Sequence, residues 1–214
     1  MKNKMKKLVV ASGLSLAAIY AYNKFVEANS TRKNLLKTEN GVFFEWKHGN
    51  IFYTRQGNGS PVLLIHDTDS RASGAEWSKI NKKLAKEHTV YTIDLIGCGR
   101  SDKPKIKYTN YLYVQLVTDF VKNVIKEKTD VVATHLSGSF VIMANNLDDS
   151  LFGKIILINP VSLKDMEAIP GNKTELMQKI INLPIIGTLL YNLHMNPAKI
   201  DIIFRLKYFS RVQL

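Results

Sequence analysis

The spacing of hydrophobic positions changes along the chain and divides it into five segments. A basic stretch, residues 1–7, precedes an apolar stretch, 8–26, which is long enough to predict a single membrane-anchoring helix. Residues 27–40 are polar and predict a linker. Residues 41–163 alternate apolar strand patterns with helix-spaced segments, whereas 164–214 have helical spacing only.

The N-terminal pattern predicts an uncleaved membrane anchor. Leu8–Tyr22 contains no charge, and four lysines within the first seven residues precede it. The run reaches a spanning length if Asn23 and Lys24 lie at the lipid interface and Phe25 and Val26 extend the apolar surface. A cleaved signal peptide and a buried core helix are the two alternatives. The N-terminus is expected on the inside, although lysines follow the run as well.

Residues 41–163 predict an α/β domain with a mostly parallel sheet and flanking helices, because strands and helices alternate after an opening hairpin. The expected strands are Val42–Trp46, Ile51–Arg55, Pro61–His66, Thr89–Asp94, Asp130–Thr134 and Lys154–Asn159. The expected helices are Ala75–Glu87, Asn110–Glu127 and Ser137–Leu147.

The C-terminal segment predicts helices laid over this sheet. Helical spacing covers Thr174–Asn182, Pro184–Leu193 and Pro197–Phe209. The chain ends within this helical segment. Lys154–Asn159 would then be an apolar strand at a free edge, a geometry that favours self-association.

Charge and cysteine content narrow the choice of partners. The net charge is +12, but no basic run is interleaved with aromatic residues, so nucleic-acid binding is not expected. The single cysteine, Cys98, rules out an intramolecular disulfide framework and a cysteine-cluster metal site. We expect neither a metal nor an organic cofactor.

Candidate chemistry lies where the strands end, because ligands of open parallel sheets bind beyond the carboxyl ends of the strands. A strand ends at Asp94, and the residues after it include Gly97, Gly99 and Ser101 in a D-x-x-G-x-G-x-S pattern. The two glycines permit a tight turn. The pattern lacks the G-K-[ST] of a phosphate loop and the G-x-G-x-x-G of a dinucleotide site.

His66, at the end of an earlier strand, and Ser137, after a later one, complete an ordered set with this loop. Over residues 42–160 the set resembles the α/β-hydrolase fold family, with its oxyanion loop, its D-x-x-G-x-G-x-S loop and its nucleophile elbow. The resemblance implies a serine hydrolase of ester or acyl-type small molecules. The fold expected here is an incomplete α/β-hydrolase-type sheet preceded by a transmembrane or signal-anchor helix. The resemblance implies that residues 41–163 are the front half of that fold and that the chain is shortened within its helical cap.

The elbow has the family form G-x-S-x-G, in which small residues flank the nucleophile. One register of the present sequence makes Ser137 the nucleophile, with His135 and Ser139 in the places of the glycines. Another register, flanked by Thr134 and Gly138, has the inert Leu136 at its centre. The sequence favours Ser137 as nucleophile, and the alternative is that Ser137 only caps a helix.

The family resemblance also implies an oxyanion hole formed by the backbone N–H groups of Thr68 and Gly138. Asp67 stands where the family has a glycine, and a carboxylate there would oppose developing negative charge. His66 is expected to brace the loop rather than to act as a base. Asp94, Gly97, Gly99 and Ser101 are expected to support the site.

A serine hydrolase needs an acid and a histidine after the serine in the chain. Only His194 follows Ser137, and it lies in the cap-like segment, where nothing places Asp165 or Asp201 beside it. The expected activity is therefore absent or impaired in this short chain. A non-catalytic binding or scaffold protein, and a basic module held on anionic lipid, are the alternatives.

Overall fold

A computed structural model describes residues 2–32, 41–69, 72–162 and 172–194. The chain forms two compact units, one from residues 1–35 and 169–214 and the other from residues 36–168. The expected helix Pro197–Phe209 lies outside the described residues, as do residues 33–40 of the predicted linker.

The larger unit contains a six-stranded sheet. Its strands are β1 (Gly41–Trp46), β2 (Gly49–Gln56), β3 (Ser60–Ile65), β4 (His88–Ile93), β5 (Thr129–Thr134) and β6 (Phe152–Ile158). Their order is β1-β2-β4-β3-β5-β6. β1 pairs antiparallel with β2, and β2 with β4, whereas β3 pairs parallel with β4 and β5, and β5 with β6. The predicted hairpin and mostly parallel sheet are confirmed.

Three helices cover this sheet. They are α2 (Ser78–Leu84), α3 (Asn110–Phe120) and α4 (Ser137–Leu147). A 3₁₀ turn, Gly74–Trp77, precedes α2, so the predicted helix Ala75–Glu87 is shorter and less regular than expected. α3 continues into one wide turn, Val121–Ile125, and ends at the left-handed Lys126.

The core lies on both faces of the sheet, as the uninterrupted apolar sequence of β3 requires. Leu63 and Ile65 belong to the main cluster with Phe120 and Phe140. Leu64, which lies between them, faces the opposite side of the sheet and belongs to a smaller cluster. Since β3 is buried on both faces, its carboxyl end is held rigidly under the candidate site.

β6 is one of the two edge strands of the described sheet, as predicted. The outer side of this strand has no ladder partner among the described residues. Two large side chains are substantially exposed, with Ile156 at 52% and Ile158 at 41%.

The smaller unit is helical. It comprises α1 (Lys2–Thr31), α5 (Asn172–Ile181) and α6 (Ile186–His194). α1 is about 45 Å long at about 1.5 Å per residue. The helix continues through residues 27–31, which were predicted to belong to the linker, because no glycine or proline occurs among these five residues.

Candidate functional site

The carboxyl ends of β3, β4 and β5 bring the sequence-predicted residues to one edge of the sheet. Two segments there are named for their central residues. The Asp94 loop comprises residues 94–102 and follows β4. The His135 bend comprises residues 134–138 and joins β5 to α4.

The Asp94 loop is a closed network around one buried carboxylate. Asp94 is 1% exposed and accepts the N–H of Gly74 at 2.6 Å and the N–H of Arg100 at 2.8 Å. The Arg100 guanidinium lies 3.6 Å from the same carboxylate. These contacts enclose the Asp94 carboxylate and connect it to Arg100, near the other end of the loop, and to Gly74.

The glycines and the serine of the loop have the supporting positions that the motif predicts. Gly97 and Gly99 both have positive φ, at 87° and 48°. A Cβ on Gly99 would come within 2.2 Å of Asp94 Oδ2. The Ser101 hydroxyl donates to the Asp94 carbonyl at 2.5 Å and accepts the Phe52 N–H at 2.8 Å, which ties the loop to β2.

His66 is fully buried and connects the ends of two strands. Its Nε2 accepts the N–H of Leu95 at 2.9 Å, so Nδ1 carries the proton and donates to the Asp67 carbonyl at 2.5 Å. Burial lowers the pKa of His66, and its hydrogen bond to Asp67 opposes this only in part. The ring is a neutral brace, since both nitrogens are engaged by backbone groups.

The sharp turn between β5 and α4 is at His135, not at Ser137. His135 has φ 47°, the left-handed conformation that costs a side chain energy, and it directly follows the last residue of β5. Ser137 is the first residue of α4. The expectation that Ser137 lies on the bend is therefore wrong. Ala133 and Ser137 are the small residues two positions either side of His135, and this spacing was the overlooked signal.

The Ser137 hydroxyl is not presented to a ligand. The residue is 0% exposed, and its Oγ donates to the His66 carbonyl at 2.5 Å. A nucleophilic hydroxyl needs an approach path for the substrate and a base for its proton. Ser137 has a carbonyl acceptor instead, and its visible role is to hold α4 against the end of β3.

The second oxyanion donor also differs from the expectation. The Gly138 N–H donates back to the His135 carbonyl at 3.3 Å within the first turn of α4. In the elbow geometry the useful N–H is that of the residue after the bend, which is Leu136. Beside Thr68, an oxyanion hole at this bend would therefore use the N–H of Leu136 rather than that of Gly138.

Both of these N–H groups are occupied by the side chain of Asp67. Its Oδ1 accepts the Thr68 N–H at 2.8 Å and the Leu136 N–H at 3.3 Å. A carboxylate at the N-terminus of α4 is also favoured by the helix dipole. Asp67, at the position where the family resemblance implies glycine, therefore accepts both N–H groups that an oxyanion hole at this bend would use.

Three further polar groups surround the His135 bend, those of Asn159, Thr134 and Glu76, and of these the sequence reasoning missed only Glu76. The Asn159 amide, at the end of β6, lies 3.4 Å from His135 Nε2. Thr134 Oγ1 donates to a Glu76 carboxylate oxygen at 3.1 Å. Partial desolvation and the nearby Asp67 raise the pKa of Glu76, while the Thr134 hydroxyl and His135 oppose this.

The site thus comprises a half-buried imidazole, two carboxylates and two N–H donors already in use. Among the described residues no cluster of three or more His, Cys, Asp or Glu side chains could hold a metal ion. His194 lies at the end of α6 in the other unit. Asp165 and Asp201 lie outside the described residues.

Known proteins share this architecture. Residues 62–205 match the alpha/beta hydrolase family. A 2-hydroxy-6-oxo-6-(2'-aminophenyl)hexa-2,4-dienoic acid hydrolase of Metapseudomonas resinovorans is 28% identical over 113 residues, which are 52% of this chain and 39% of that protein. A soluble epoxide hydrolase of Corynebacterium sp. (strain C12) is 29% identical over 89 residues, which are 42% of this chain and 30% of that protein.

Among solved structures, an alpha/beta hydrolase fold protein from Burkholderia ambifaria superposes with a TM-score of 0.57 at 24% identity. The alignment covers 67% of this chain and 53% of that one. The chain spans less than half the length of the two curated relatives. The sheet, the Asp94 loop and the strand-to-helix bend agree with the family match, and the chain belongs to the alpha/beta hydrolase family.

Proposed function

We propose that this chain is a membrane-anchored member of the family that binds a small molecule at the carboxyl ends of its parallel strands without hydrolysing it through a serine. One relative is a dienoic acid hydrolase, which makes acyl compounds the first class of ligand to test. The observation that carries the proposal is the Asp67 carboxylate, which accepts the Thr68 and Leu136 N–H groups.

Two energetic arguments support the absence of serine chemistry. A developing oxyanion at the His135 bend would meet the charge of Asp67 rather than two free donors, and the loss of one such donor costs about 10²–10³ in rate in serine hydrolases. The hydroxyl expected to react, that of Ser137, is buried and donates to a carbonyl.

A fluorophosphonate probe tests this proposal on the full chain in membranes. We expect no labelling of the wild type or of Ser137→Ala, beside a serine hydrolase that labels under the same conditions. Labelling that Ser137→Ala abolishes would contradict the proposal and restore Ser137 as nucleophile.

Activated aryl esters provide a second test. Asp67→Gly frees the two N–H groups, yet we expect no turnover, because the bend presents an imidazole without a serine. Turnover that appears in Asp67→Gly and disappears in Asp67→Gly/His135→Ala would overturn the non-catalytic function and make the imidazole the reacting group.

Membrane anchoring is supported by the surface of α1. The apolar window within Asn3–Ser30 has a mean hydropathy of 1.3, and only 6% of it is buried, which argues against a core helix. Leu14 is 68% exposed and Val10 61%. A bilayer would cover this surface over about 30 Å of hydrocarbon.

Carbonate extraction tests the anchor. The wild type should remain in the membrane pellet, whereas Leu14→Arg/Leu16→Arg should move to the supernatant. Leu14→Ala/Leu16→Ala is the matched control and should remain in the pellet. Release of the wild type would refute anchoring, and a shortened product would reveal cleavage of a signal peptide.

We also propose self-association through β6, supported by the exposure of Ile156 and Ile158 on a strand with a free edge. Ile156→Lys should shift the sedimentation of the detergent-solubilised chain towards the monomer. Leu147→Lys, at an exposed apolar residue of α4, is the control. A wild-type monomer at all concentrations would exclude this association.

A further inference from the structure

The helical hairpin α5–α6 has an apolar outer surface with no partner among the described residues. Its exposed large side chains are Leu176, Met177, Ile181, Leu183, Ile186, Leu190, Tyr191 and Leu193. Contiguous apolar surface of this kind marks an interaction site. The question is what covers it.

α6 has two distinct long faces. Leu189 and Asn192 are partly buried and lie on the side towards α1, whereas Ile186, Leu190 and Leu193 lie on an exposed stripe. The three stripe residues have the i, i+4, i+7 spacing of one helix face. This stripe is called the α6 outer face below.

Asn23 fixes the position of α6 along α1. Its side chain is 7% exposed, its Nδ2 donates to the Ile185 carbonyl at 2.9 Å, and its Oδ1 accepts the Asn192 Nδ2–H at 3.0 Å. Ile19 and Val26, one helical turn to either side, are partly buried on the same face of α1. α6 therefore joins α1 at residues 19–26.

This position is where the uncharged run of α1 ends. Leu8–Tyr22 is free of charge, and Asn23 and Lys24 are the first polar residues after it. Lys24 pairs with Glu27 at 2.7 Å in the following turn. If α1 spans the bilayer, residue 23 lies at the boundary between acyl chains and head groups, and the hydrogen bonds of Asn23 hold α6 at that depth.

We infer that the α6 outer face lies in the membrane interface and contacts lipid acyl chains, so that the hairpin is a second, in-plane membrane contact beside the anchor. The inference rests on the proposed spanning role of α1. α6 packs against α1 at the polar end of the proposed span. The α6 outer face therefore lies at the depth where interfacial helices insert, so lipid covers it. The side chain of Asn192, by contrast, donates a hydrogen bond to Asn23 of α1.

The test uses the full chain in phosphatidylcholine–phosphatidylglycerol vesicles, with Cys98→Ala as background. An environment-sensitive fluorophore is attached at Leu190→Cys, on the α6 outer face, or at Thr188→Cys. Thr188 is the matched control because it is exposed on nearly the opposite side of the same helix. Nitroxide-labelled lipids should quench the label at position 190 roughly fivefold more than the label at 188.

Two outcomes would overturn the inference. Equal quenching at positions 188 and 190 would mean that the outer face does not select lipid. Emission at 190 that depends on the protein-to-lipid ratio, but not on nitroxide lipid, would assign the face to a second copy of the chain.

Carbonate extraction of the same labelled proteins separates this failure from that of the anchor. Release of both variants would refute the spanning role of α1 itself. Retention of both, with no preferential quenching at 190, would refute only the interfacial position of α6. Leu190→Asp/Leu193→Asp should remain in the pellet while a label at Ile186→Cys loses its quenching.

Discussion

The Asp94 loop and the His135 bend lie at the same edge of the sheet but differ in the state of their polar groups. Asp94 is buried, and its carboxylate accepts one backbone N–H from its own loop and one from Gly74, the first residue of the 3₁₀ turn. At the His135 bend, the imidazole is only half buried and the backbone is left-handed. The polar groups of the Asp94 loop stabilise the fold, whereas the His135 bend retains the backbone strain and exposure that functional sites carry.

Asp67 explains how the same fold accommodates this difference. Its carboxylate satisfies the N–H groups of Thr68 and Leu136 that a reactive member would leave for substrate. In the proposed function, the strand-to-helix bend is kept while both of these N–H groups bind a carboxylate of the chain itself. Fold and chemistry are separable properties of this family's scaffold.

Of the substitutions in these two segments, Asp94→Ala should lower the free energy of unfolding the most. It leaves the N–H groups of Gly74 and Arg100 without their acceptor, and we expect a loss of about 3–5 kcal/mol in the free energy of unfolding, as for a broken buried charge pair. Urea unfolding of the solubilised chain measures it. Asp149→Ala, on an exposed turn, is the control, and an equal effect of the two variants would contradict the closed network.

Ser137→Ala tests the His135 bend in the same assay. Loss of the hydroxyl leaves the buried His66 carbonyl without this donor, which should cost about 1–3 kcal/mol. Ser78→Ala, at an exposed position of α2, should change stability little. An unchanged stability for Ser137→Ala would remove the structural role assigned to its hydroxyl.

The pH dependence of stability tests His66, the link between the two segments. The native state lowers the pKa of His66, whereas the unfolded imidazole binds a proton below about pH 6.5. The free energy of unfolding should therefore fall as the pH falls below that value, by at most about 1.4 kcal/mol per pH unit.

His66→Gln is the comparison variant, because it can keep an acceptor for Leu95 but does not titrate. Its unfolding free energy should depend less steeply on pH between 6.5 and 5, although it is lower at pH 7. Parallel slopes for the two proteins would show that His66 is not the titrating group.

The smallest expected effect is at His135 itself. Glycine adopts the left-handed φ without a Cβ penalty, so His135→Gly should be more stable than His135→Ala by about 1 kcal/mol. Thermal unfolding in parallel measures the difference. At Ser150, an exposed position with no left-handed backbone, alanine should instead be more stable than glycine. Equal stability of His135→Gly and His135→Ala would mean that the bend is not strained.

The alternation of apolar runs determined much of this protein from sequence alone. The continuous apolar run in β3 predicted a strand buried on both faces, as the structure has it. The helix pattern predicted α4 with its observed bounds, Ser137–Leu147. The D-x-x-G-x-G-x-S pattern likewise located the Asp94 loop, because its glycines and aspartate are required by the local backbone.

The tertiary structure alone decided which residue occupies the bend. A sequence motif fixes relative spacing, and a shift of two residues exchanges His135 for Ser137 while leaving small residues nearby. Only the backbone φ and the contact between Ser137 and the His66 carbonyl, 71 residues apart in sequence, distinguish the two. Likewise, the meeting of Asp67 with Leu136 depends on the parallel pairing of β3 with β5, a long-range contact that local patterns do not encode.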